Sequence, residues 1–233
     1  MIQIDAPFAV HLLEIIWINI LLSGDNAVVI ALACRALPPH QQKWGIILGT
    51  APAVVLRIIF AAMVSWLMAV PWLKIVGGVI LLWIAIDLMK GGDDDEAAVH
   101  EHASLWYAAR TIVVADVVMS LDNVVAVAAA AKGDFSLLVI GLLISIPLVI
   151  VGSTLLLRLL DRFPVLVVAG AALLGFIAGE LIESDPVLSP WTADLPEIVD
   201  LGVPLLLAAL VVATGQLMGR AARRREAATV RNC

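Results

Sequence analysis

The chain has 233 residues, 62% of them hydrophobic, a formal net charge of −6 and a mean hydropathy of +1.05. Soluble domains are about 45–50% apolar, so an ordinary water-soluble fold is excluded, and an acidic membrane chain is not expected to bind nucleic acid. With only Cys34 and Cys233, neither a disulfide framework nor a Cys/His zinc site can be built.

The apolar residues fall in runs of about 20, the length a bilayer demands. In chain order they predict seven membrane segments, at 10–32, 44–69, 72–90, 106–131, 136–159, 164–183 and 198–219. The first run has no basic stretch before it and no small-residue cleavage site after it, so it reads as a retained helix rather than a signal peptide. Proline marks the connectors: Pro38-Pro39, Pro71, Pro164, then Pro186, Pro190 and Pro196. The polar stretch 91–102, with Asp93, Asp94, Asp95, Glu96, His100, Glu101 and His102, reads as a solvated loop. Residues 220–233 read as a basic cytoplasmic tail. With the N-terminus placed outside, the inner segments hold Arg35, Lys43, Lys90, Arg110, Arg158, Arg162 and the arginines of 220–231, while the outer ones hold only Lys74 and Lys132. This bias predicts a multi-pass protein of the cell membrane with its N-terminus outside and its C-terminus in the cytoplasm.

The chain repeats itself. Asn19-Ile-Leu-Leu-Ser23-Gly-Asp25-Asn26 in segment one aligns without gaps to Asp116-Val-Val-Met-Ser120-Leu-Asp122-Asn123 in segment four. The run from Gly77 to Asp87 in segment three aligns to that from Gly170 to Glu180 in segment six, whereas segments two and five match only loosely. A repeat of three helices, an odd number, forces the two copies to enter the membrane from opposite sides, a common transporter architecture with the binding site at the midplane. The predicted fold is therefore an all-α polytopic membrane protein, one transmembrane domain over 1–219. It comprises inverted three-helix repeats at about 10–90 and 106–183, with an extra helix at about 198–219.

Ionisable residues inside hydrocarbon cost a few kcal/mol or more and usually face a cavity or a partner. Asp25, Arg57, Asp87, Asp116, Asp122 and Glu180 are such residues. The Ser-x-Asp-Asn units offer carboxylate, amide and hydroxyl oxygens, a hard donor set suited to Mg²⁺, Ca²⁺ or Mn²⁺ rather than copper or zinc. Asn19, Ser23 and Asn26 share one helical stripe, as do Asp116, Ser120 and Asn123,. Two opposed units offer two or three carboxylates and two amides to one cation. The competing reading is that these groups stitch helices together by hydrogen bonds. Asp87 and Glu180 form a second matched pair, read as a cation or proton path or as helix-end residues touching water, with Glu180 the deeper. Arg57 is expected to pair with one of these acids. No catalytic triad, zincin helix or phosphate loop is present,, and an enzyme is not expected.

Ser23-Gly24-Asp25-Asn26-Ala27-Val28-Val29-Ile30-Ala31 and Asp116-Val117-Val118-Met119-Ser120-Leu121-Asp122-Asn123 resemble the two signatures of the TerC family of integral membrane proteins, and the resemblance extends over almost the whole chain. It implies a seven-helix fold akin to the LysE transporter superfamily, divalent-cation efflux with Mn²⁺ as leading cargo, and a looser link to tellurite resistance. The implied metal positions are Asp25, Asn26, Asp122 and Asn123, with Asp116 joining the second signature. The first half departs from the pattern, since Asn19 stands where many members carry an acid. The expected partners are the bilayer and the transported cation, with no permanent cofactor, and a homo-oligomer or membrane partner proteins remain open. The alternatives are export of Ca²⁺ or a basic amino acid, or a non-transporting scaffold.

Overall fold

The computed structural model describes residues 13, 16–18, 24–90, 104–131, 135–188 and 201–231. Its helices are α1 (Gly24–Arg35), α2 (Pro39–Ala62), the short α3 (Val64–Leu67), α4 (Leu73–Lys90), α5 (Leu105–Ala130), α6 (Phe135–Arg162), α7 (Val165–Glu183) and α8 (Gly202–Arg231). No strand occurs among the described residues. By length and apolarity α2, α6 and α7 suffice to cross a bilayer. The outward faces are apolar too: Leu155, Val151 and Leu206 are 66%, 67% and 65% exposed. Such faces are stable against lipid rather than water, and the chain is an all-α, multi-pass membrane protein.

Proline sets several boundaries. Pro39 opens α2 at its first turn, where a missing N–H costs nothing, so that segment begins earlier than position 44. The predicted run 44–69 divides at Met63 into α2 and α3. At the other end, α8 carries on to Arg231. The basic stretch is rich in Ala, Arg and Glu, all strong helix formers, so 220–231 continues the last helix. Of predicted segment one, the continuous helix seen here is the part from Gly24 onward. Asn19, Ser23, Lys132 and the loop 91–102 lie outside the described residues.

Packing reflects the repeat. Helix α4 and its repeat partner α7 run antiparallel, for a Cβ on Gly78 near the start of α4 would meet Ile182 Cγ1 at 2.5 Å and the Ala178 carbonyl at 2.8 Å, near the end of α7. Helix α2 lies along α5 in parallel, Gly49 against Ile112 and Arg57 against Asp116. Exchanging the halves turns the α2–α5 pair into α6–α1, which is also a major contact. Antiparallel related helices with exchanged neighbours are what inverted halves require. Close approach is made by small residues, as expected where lipid gives no hydrophobic drive between helices. On α7, a Cβ at Gly179 would stand 2.5 Å from Pro204 Cα, so α8 docks there backbone to backbone.

Candidate cation site

A small cavity, about 20 Å³, sits where the halves meet. Asn26 and Ile30 of α1 and Thr50, Ala53 and Arg57 of α2 line it from the first half; Asp116 of α5 and Ser145 of α6 are among those lining it from the second. Thr50 lies halfway along α2 and Asp116 near the middle of α5, so the cavity is at mid-depth. A space of this size admits about one water or one bare ion.

The arginine of α2 supplies the cavity's positive charge. Its guanidinium forms an ion pair with Asp116, whose side chain is 12% exposed. Arg57 Nε donates to Ser120 Oγ at 3.1 Å, and that hydroxyl donates to the free side of the Asp116 carboxylate at 3.3 Å. Asp116 and Ser120 are one helical turn apart and present this pair together. Asp25 opens α1; its Oδ1 accepts the Asn26 backbone N–H at 2.8 Å, and its charge is felt by both Arg57 and Asp116. The asymmetry between the halves is consistent with this pair. Asp116 aligns with Asn19, and the position in α6 that aligns with Arg57 is Gly152. The two positions equivalent to this pair, Asn19 in the first half and Gly152 in the second, thus lack both acid and base, so neither charge is left unmatched.

Asp122 lies elsewhere. It is about 200° around α5 from Ser120 and pairs with Lys74, near the start of α4. Ser184, just past α7, donates to Asp122 Oδ2 at 3.3 Å and accepts from Lys74 Nζ at 3.1 Å. Lys74 is buried, whereas the Asp122 side chain is 44% exposed. Beside them Asp185, fully buried, accepts backbone N–H groups from Trp72 (3.1 Å), Lys74 (3.1 Å), Ile75 (3.3 Å) and Val187 (2.9 Å). Burial pushes the Asp185 carboxyl upward, but these donors outweigh it and hold the group below its ordinary value,.

The structure therefore brings Asn26, Asp116 and Ser120 together with Arg57, and keeps Asp25 within electrostatic reach. It does not gather Asp122 there. Among the described residues no three His, Cys, Asp or Glu side chains converge, so the expected sharing of one cation by Asp116 and Asp122 is not seen in this conformation. The helical stripe places Asn123 on the Asp116 side of α5. The partner of Arg57 is Asp116, not Asp87 or Glu180. Asp87 accepts a hydrogen bond from Tyr107 at the start of α5. Glu180 is exposed rather than deep, and lies close enough to feel the Asp122 charge. Because α4 and α7 are antiparallel, these two matched acids stand at opposite ends of the bundle. Sequence reasoning missed Lys74, counted only as a basic residue of the outer segments, and Thr50, Ser145, Ser184 and Asp185. Asp185 carried no signal, as three of its four partners are backbone groups far away in the chain.

An all-helical, multi-pass protein with a charged, oxygen-rich cavity between related halves is the class that fold and site define. The chain belongs to the integral membrane protein TerC family, whose model matches residues 4–225. It is 43% identical over 208 residues to "Uncharacterized membrane protein YjbE" of Bacillus subtilis (strain 168), covering 89% of this chain and 94% of that one. It is 29% identical over 167 residues to "Uncharacterized membrane protein YceF" of the same organism, covering 68% and 65%. It is 25% identical over 197 residues to "UPF0053 inner membrane protein YoaE" of Escherichia coli (strain K12), covering 76% of this chain and 38% of that one. No solved structure matches.

Proposed function

We propose that the chain is a transporter that exports a divalent metal cation, Mn²⁺ foremost, through the cavity between its halves. The observation that carries this reading is the meeting of Asn26 from one half and Asp116 from the other at mid-depth, in a space suited to one ion. Asp116 and Asp25 supply negative charge and Asn26 a neutral oxygen, with Asp122 and Asn123 further along α5. The donors are all oxygens, the set Mn²⁺ accepts. Arg57 acts as a tethered cation that neutralises Asp116 while the site is empty, and metal binding requires it to swing away. The cavity is far too small for a lysine side chain, which favours a metal over a basic amino acid. The N-terminus lies outside and the C-terminus in the cytoplasm, and the outward direction of transport follows the family resemblance.

Expression in a manganese-sensitive host is expected to lower cell manganese under load. Asp25→Ala and Asp116→Asn should each reduce that efflux at least tenfold. Parental efflux in both variants, measured at equal protein level, sinks the site assignment. Proteoliposomes that move lysine but not Mn²⁺ sink the cargo.

A further inference from the structure

Helices α2 and α6 each carry an internal proline, Pro52 and Pro147. Each has a hydroxyl two residues earlier, giving Thr50-Ala-Pro52 and Ser145-Ile-Pro147. The spacing between these units falls between the spacings of the two stronger repeat alignments, so they occupy equivalent places in the halves. Their environments match as well. Both hydroxyl residues are buried, Thr50 4% and Ser145 3% exposed, and both line the central cavity. Both prolines face outward. Segments that look only loosely related therefore share a third pair of polar positions, and that pair meets at the cavity.

The two hydroxyls differ in one respect. Ser145 Oγ donates to the Leu142 carbonyl at 2.7 Å. Thr50 Oγ1 is fully buried and has no hydrogen-bond partner among the described residues. An unmet buried hydroxyl is costly, and native proteins rarely keep one without a use. Helical Thr and Ser ordinarily bond back to a carbonyl of the preceding turn, as Thr154 does here.

We infer that Thr50 and Ser145 are neutral oxygen ligands of the transported cation, one from each half, in the same cavity lining as Asn26 and Asp116. This deepens the transport reading and rests on it. Two hydroxyl oxygens add no charge to the site. They replace water from the ion's hydration shell while leaving Arg57 as the one positive group among the described lining residues, and the one that must move.

The test uses the full chain in detergent, with Mn²⁺ as the probe and thermal unfolding as the readout. Without metal, Thr50→Val should unfold at or above the parental temperature, since a methyl takes the place of a hydroxyl that has no hydrogen-bond partner among the described residues. With metal, the Mn²⁺ concentration giving half-maximal stabilisation should rise at least tenfold in Thr50→Val and several-fold in Ser145→Ala. Thr50→Ser, which restores the oxygen, should stay within about twofold of the parent. Parental Mn²⁺ response in Thr50→Val overturns the inference, as does a lower unfolding temperature without metal, which would make the hydroxyl a structural bond. If the parent itself does not respond to Mn²⁺, the cargo reading falls first and this one with it, an outcome distinct from a responsive parent with indifferent variants.

Discussion

Helix α5 carries two ion pairs that look alike on paper and differ in setting. Asp116 meets Arg57 of α2 at mid-depth, with side chains 6% and 12% exposed on the basic and acidic sides. Asp122 meets Lys74 of α4 near the helix ends, where the acid is 44% exposed. Both bases come from the first half and both acids from the second. The central pair is sealed, so its charges depend on each other. The peripheral pair is open, so water shares the work. The choice of base fits the setting. Arginine keeps its charge when buried and its fork reaches both Asp116 and Ser120, whereas lysine is a compact point charge.

The sharpest way to break the comparison is to remove one partner from each pair. Asp116→Ala leaves Arg57 with an uncompensated buried charge and should cost about 3–5 kcal/mol in unfolding free energy. Combining it with Arg57→Met should recover most of that loss, because replacing a whole buried pair by apolar groups is often neutral. Chemical denaturation in detergent checks both, and equal instability of the single and double variants would contradict the account.

A smaller effect is expected from Asp185→Asn, about 1.5–3 kcal/mol, the range for hydrogen bonds to a charged group. The carboxylate ties α4's start to α7's end and steadies Trp72, whose φ of 68° is unusual for a bulky residue,. Since its folded value is lowered, its contribution is complete above the ordinary aspartate value of about 4 and fades as pH falls through the depressed folded value. Asp185→Asn should therefore flatten the acid side of the stability profile and leave the neutral side parallel to the parent.

The smallest effect belongs to the open pair. A double-mutant cycle on Lys74→Met and Asp122→Asn should give a coupling of about 0.2–1 kcal/mol, shrinking as salt is added. A coupling as large as that of Arg57 and Asp116 would mean that the two settings are equivalent after all.

Much of this was legible in the residues. Apolar runs of membrane length set the all-helical, multi-pass class, and the matched Ser-x-Asp-Asn units predicted inverted halves, which the antiparallel α4 and α7 display. The Thr50 and Ser145 pair was also in the sequence, as hydroxyl-x-proline at equivalent positions, but two small polar residues among many apolar ones make a faint signal. The grouping of the acids was not legible. Spacing along α5 says that Asp116 and Asp122 leave different faces, yet not which helix each face meets.

The sequence by itself determined that the chain spans the membrane repeatedly and that Asp25, Asn26, Asp116, Asp122 and Asn123 must answer for their place in apolar segments, because hydrocarbon tolerates neither an unpaired backbone nor an unattended charge. Only the tertiary structure decided who answers for whom. Arg57 and Asp116, or Lys74 and Asp122, are brought together by helix packing through small residues such as Gly49 and Gly78, and such contacts depend on the rotation and depth of whole helices, which no local pattern encodes.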